Sequence, residues 1–127
     1  MNTILGLGRY LFAASLMVFG FGHLSNASAM AGMVPIPAGE LWVYITGVAL
    51  IAGALSILIG KLDKLGAALL GLMLLIFACS IHLPGLINAA DGMARQGFMG
   101  GFLKDMGLAG GAWMYAVGMA KDKSIIG

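Results

Sequence analysis

Six ionisable side chains lie inside or at the rims of the apolar stretches of this sequence: Arg9, His23, Glu40, His82 and the adjacent pair Lys104 and Asp105. A charge within a membrane-length apolar run is costly, so such residues usually face a helix interior or a water-filled cavity and find polar partners there. Lys104 and Asp105 interrupt an apolar run together. Adjacent residues on a helix point about 100° apart and do not cover each other. Each is therefore expected to reach a partner on another helix, Lys104 to Glu40, and Asp105 to His82 or His23. A buried cluster of this kind suits proton handling or the holding of a polar head group.

Plainer readings of the same residues stay open. His23 and His82 suit hydrogen bonding to carbonyls or lipid head groups at helix ends. Lys104 and Asp105 suit a structural ion pair that fixes helix register. His23, Met30, Met33 and His82 would form a soft donor set of the kind that binds copper, but two histidines among scattered methionines do not assign a metal. No nucleophile stands beside a base, no glycine-rich phosphate loop is present, and the single cysteine, Cys79, excludes both a CxxC pair and an internal disulfide. Cys79 sits in an apolar run and reads as a small core residue. No catalytic residue is assigned.

The elements that must position these groups follow from composition. The chain has 127 residues, 61% of them hydrophobic and 9% charged, against about 25% charged in soluble domains. Such a chain cannot clothe a water-facing surface, and the fold class expected is an all-α integral membrane four-helix bundle. A membrane helix needs about 20 apolar residues. The runs at about 4–24, 41–60, 65–83 and 98–120 meet this, the third stopped by Pro84, since the residue before proline disfavours helix. Continuous rather than alternating apolar runs exclude strands. One domain, 1–127, accounts for the chain. The net charge of +2 gives no reason to expect nucleic acid, and the lipid bilayer is the first expected partner.

The stretch FGHLSNASAMAGMVPIP offers two readings. Ala27-Ser28-Ala29 fits a signal-peptide cleavage site. Yet only Arg9 precedes the apolar core and the run is long enough to span, so a retained first helix followed by an irregular Pro35/Pro37 loop is expected. Lys61, Lys64, Lys121 and Lys123 fall on one side of such a bundle and Arg95 on the other. The positive-inside rule then places both termini in the cytoplasm. Threading the chain this way puts His23, Glu40, His82, Lys104 and Asp105 in one leaflet, with Arg9 snorkelling toward the inner face. Trp42, Tyr44, Trp113, Tyr115 and Tyr10 read as interfacial anchors.

The layout resembles the DoxX family of small four-helix membrane proteins. The resemblance is carried by Arg9 early in helix one, FGFGHLSN at its end, VPIPAGELWVYITGVALIAGALSILIG as helix two, KLDKLGAALLGLMLL as the turn and helix three, and GFLKDMGLAGGAWMYA at helix four. It departs where many members carry an acid soon after the second-helix glycine: Gly47 is followed by Val48, Ala49 and Leu50. The resemblance implies a multi-pass protein of the bacterial inner membrane, similar to the small subunits of a thiosulfate:quinone oxidoreductase. It brings in a quinone as the one candidate cofactor, with Arg9 or Lys104 as donors to its carbonyl. Two functions are expected. The first is an accessory subunit packed against other membrane protein subunits of a redox-linked complex. The second is a quinone-interacting subunit with its polar site in the outer half of the bundle.

Overall fold

The computed structural model describes residues 1–127. Every regular element is helical, as it must be where backbone N–H and C=O groups find no water. In chain order these are α1 (Asn2–Leu5), α2 (Gly8–Ser25), α3 (Ala27–Met30) with a 3₁₀ turn at Ala31–Met33, α4 (Gly39–Ile59), α5 (Asp63–Phe77), a π segment (Ala78–His82), α6 (Leu83–Ile87) and α7 (Gly92–Gly118). Three helical stretches, Asn2–Ser25, Gly39–Ile59 and Asp63–Ile87, are long and apolar enough to cross a membrane.

Helix ends show how the chain runs. Arg9, at the start of α2, donates to the carbonyls of Ile57 and Leu58 at the end of α4. Asp63, the first residue of α5, accepts from Tyr115 and from the Lys121 and Asp122 amides beyond α7. Both ends of the sequence and the α4–α5 turn therefore meet at one end of the molecule, and successive long helices alternate in direction.

A single core joins them: Ala13 and Leu16 from α2, Leu50, Ala54 and Ile57 from α4, Ala67, Leu70 and Leu74 from α5, and Ala109, Ala112, Tyr115 and Ala116 from α7. Small residues at these contacts let the helices come close, which is how apolar helices gain packing where lipid removes the hydrophobic drive. At the α2–α4 crossing, a Cβ on Gly20 would stand 2.9 Å from the carbonyl oxygen of Gly47, so the two backbones touch. Only 22 of 127 residues are buried, and the outer faces carry large apolar side chains such as Leu11, Val18, Leu69 and Val117. That inverted surface suits acyl chains, not water.

Several boundaries differ from the sequence expectation. Helix three does not end before Pro84. The Leu83 amide bonds back to the Ala78 carbonyl, five residues earlier. The widened π turn lets the missing proline amide fall in the first turn of α6, where no intrahelical partner is needed. The fourth helix begins at Gly92, not near 98. Asp91, in extended backbone, caps it by accepting from the Ala94 amide at 2.7 Å. The loop expected after helix one holds α3 and the 3₁₀ turn, and a Cβ on Gly39 would strike the Ala31 carbonyl, so this segment rests against the start of α4. Cys79 is exposed rather than in the core, because the π turn ahead of α6 aims Ala78, not Cys79, inward.

Candidate functional site

The π segment and α7 face each other through His82 and Asp105. His82 Nδ1 lies 2.9 Å from Asp105 Oδ2, and Asp105 is 1% exposed. The contact is at ion-pair distance but out of line for a hydrogen bond, and neither atom has another partner. Gly101, one turn before Asp105, makes the approach feasible: a Cβ there would collide with the His82 ring. The glycine thus lets the imidazole lie against the backbone of α7.

Lys104 does not reach Glu40. Its ammonium sits 3.4 Å from Oδ1 of its own neighbour Asp105 and 4.4 Å from the centre of the Phe19 ring. The long, flexible lysine stem folds back along α7, which the fixed angular offset of two Cα positions does not forbid. An aromatic face is a favourable seat for a partly desolvated cation. Lys104 remains 42% exposed along its side chain.

His23 does not pair with Asp105. Its Nδ1 lies 2.7 Å from the Phe19 carbonyl and its ring stacks on Phe77, with centroids 6.3 Å apart and planes 19° from parallel. Glu40 is exposed at the start of α4 and has no ion-pair partner.

These groups border a cavity of about 470 Å³ between α2, α4, α5 with its π extension, and α7. Its wall is largely apolar, including Phe19, Trp42, Leu50, Met73 and Phe77, with His23, His82, Lys104 and Asp105 as the ionisable groups. The hydroxyls of Thr46 and Ser80 also line it, but each bonds a carbonyl of its own helix, Thr46 to Trp42 at 2.9 Å and Ser80 to Ile76 at 2.6 Å. Met30 and Met33 border the same cavity, so all four residues of the soft set line it. No three His, Cys, Asp or Glu side chains come together closely enough to hold a metal ion.

Four of the six expected residues are thus gathered, and two are not. Glu40 lies outside the cavity. Arg9 is at the opposite end of the molecule, where its guanidinium Nη2 bonds the Ile57 and Leu58 carbonyls at 3.2 and 3.1 Å. Those carbonyls belong to the last turn of α4 and lack helical partners, so Arg9 joins two helices, while its Nε is buried there without a partner.

A second polar centre was missed in the sequence. Asp63 is fully buried and accepts from Tyr115 Oη at 2.7 Å, the Lys121 amide at 2.9 Å and the Asp122 amide at 2.8 Å. Tyr115 is therefore a core residue and not an interfacial anchor. The available signal was an acid at the first position of a helix directly after the turn Gly60-Lys61-Leu62. Such a carboxylate suits a helix start, but nothing local says that a distant tail supplies its donors. Nearby, Asp122 holds the Leu62 amide at 2.7 Å. Hydrogen bonds from the Leu62 amide first, and then from Ser124, keep the Asp122 carboxyl below its ordinary range.

No curated protein and no solved structure matches the chain. The family model described as Domain of unknown function (DUF8561) matches residues 12–102, from within α2 to the turn of α7 that packs on His82. With well over half its length under that match, the chain belongs to the DUF8561 family.

Proposed function

We propose that this chain is a multi-pass membrane protein that binds a lipophilic molecule with a flat polar head, of the quinone class, in the cavity beside His82 and Asp105. The observation that carries this reading is the convergence of His23, His82, Lys104 and Asp105 on one apolar cavity of about 470 Å³. Ligand sites are typically concave and apolar with a few placed polar groups. Stacked rings at His23 and Phe77 supply an edge for a planar head, and the Lys104 ammonium is a donor for a carbonyl oxygen.

In this reading α7 is a fourth span and the molecule a four-helix bundle. At 27 residues α7 reaches about 40 Å, enough to cross, and its apolar face completes the shared core. Lys61, Lys64, Lys121 and Lys123 lie at the end where the termini meet, which argues for a cytoplasmic location of that end. The cavity then opens toward the outer leaflet of a bacterial inner membrane. The resemblance to DoxX proteins fits this arrangement, with Lys104 and Asp105 as the family-like pair.

A second reading, an accessory subunit within a larger redox-linked complex, draws on the apolar groove between α4 and α5 bordered by Ala49, Ala52, Gly53 and Gly66. Small residues there suit a partner helix.

Titration of the chain in phosphatidylcholine nanodiscs with a short-tailed benzoquinone separates the two. Saturable binding above empty nanodiscs, weakened in Lys104→Met, is the expected result. Absence of saturable binding, with co-purification of larger subunits from native membrane, overturns the ligand reading in favour of the accessory one.

A further inference from the structure

We infer that the cavity selects a ligand head bearing a hydroxyl donor, a phenol or quinol rather than a head with acceptors alone, and that His23 Nε2 is the atom that reads it. The inference deepens the proposed ligand site and rests on it.

The argument starts from the tautomer. A backbone carbonyl can only accept, so the 2.7 Å contact between His23 Nδ1 and the Phe19 oxygen places a hydrogen on Nδ1. In the neutral ring this leaves Nε2 as an acceptor with a lone pair. Nε2 has no partner within the chain and is open to solvent, unlike His82 Nδ1 and Asp105 Oδ2, which are buried. The ring borders the cavity, and its orientation is held twice, by Phe19 through Nδ1 and by Phe77 through stacking.

Of the other ionisable groups of the cavity, only the His82 ring offers a comparable acceptor, its own Nε2, and His23→Phe is the variant that tells the two rings apart. His82 and Asp105 are turned on each other. Lys104 offers only donor hydrogens. The Thr46 and Ser80 hydroxyls spend their hydrogens on their own helices. A head that presents an oxygen to Lys104 meets a complementary cation near Phe19, and a head that also carries an O–H satisfies His23. A ligand with acceptors alone leaves Nε2 unpaired in an apolar wall, a cost of the size of a lost buried hydrogen bond.

The test compares 4-hexylphenol with 4-hexylanisole, which share shape and differ in the donor hydrogen. Binding is measured to the chain in phosphatidylcholine nanodiscs, with partition into empty nanodiscs subtracted. The phenol is expected to bind about tenfold more tightly. In His23→Phe, which keeps the ring that stacks on Phe77, the ratio is expected to fall to about one, through loss of phenol affinity and not gain of anisole affinity. Equal affinities in the wild type, or a ratio unchanged in His23→Phe, overturn the inference while leaving the cavity as a ligand site. Saturable binding of neither compound removes the ligand site itself, and the inference with it. Should His23→Phe fail to fold, the wild-type ratio alone decides.

Discussion

Tyr115 Oη donates to Asp63 Oδ2 across 2.7 Å, tying the last turns of α7 to the first residue of α5, 52 positions earlier. Both residues are buried, and the same carboxylate takes the two amides that follow α7. Three donors converge on one side chain, so the groups are interdependent. Asp63→Asn leaves one carbonyl oxygen for three donors and turns an amide toward the rest. It is expected to cost about 2–3 kcal/mol, because a buried donor left without an acceptor costs about 1–3 kcal/mol. Tyr115→Phe, which leaves both amides in place, is expected to cost about 1 kcal/mol. Unfolding in mixed detergent micelles measures both, and the double variant should cost less than the sum.

Glycines of α7 divide sharply by surroundings. Gly101 lies against the His82 ring, whereas a Cβ on Gly97 or Gly100 would meet nothing within 4 Å. Gly101→Ala must push the imidazole away from Asp105 and should destabilise by about 1–3 kcal/mol, the usual range for overpacking. Gly100→Ala should be neutral or stabilise by up to about 1 kcal/mol, through helix propensity alone. Thermal unfolding of the pair in one detergent checks the contrast, and equal effects would remove the assigned role of Gly101.

Lys104 and Asp105 should respond unequally. Lys104 is 42% exposed and Asp105 is 2% exposed along their side chains. Exposed ion pairs contribute about 0–1 kcal/mol, so Lys104→Met should leave stability nearly unchanged. Asp105→Leu leaves His82 without its neighbour in the interior and should be the more damaging of the two in the same unfolding assay. Greater damage from Lys104→Met would contradict the packing described here.

Acid should loosen the C-terminal tail. Asp122 is held below its ordinary value chiefly by the Leu62 amide. A carboxyl with a depressed folded pKa contributes stability above its unfolded pKa of about 3.8, and that contribution is lost as pH falls through the lower folded value. The Leu62 amide proton resonance should therefore move upfield below about pH 4, and Asp122→Asn should abolish the transition.

Helical class, the early spans and the gathering of four polar residues were legible because each depends on local composition or on chain direction. Apolar runs placed α4 and the start of α5 to within a few residues. What escaped depends on neighbours that no local pattern specifies. Glu40 and Lys104 were paired because opposite charges attract, yet the Lys104 stem bends to Asp105 and Phe19 instead. Asp63 looked like one polar residue in a turn, although its donors come from beyond α7. Pro84 looked like a terminator because its restriction on the residue before it is a local property, whereas the π turn that accommodates it is a property of the preceding residues.

That π turn has a consequence for how the family can vary. A surplus residue in a helical stretch acts as a phase shift: everything beyond it is rotated relative to everything before it. Leu74 and His82 look toward the same cavity only because the offset falls between them. Removing one position from the segment Ala78–His82 would restore uniform winding and leave the imidazole seven residues after Leu74, still on the same face, so in sequences related to this one these two positions should stand either eight apart with the π turn or seven apart without it.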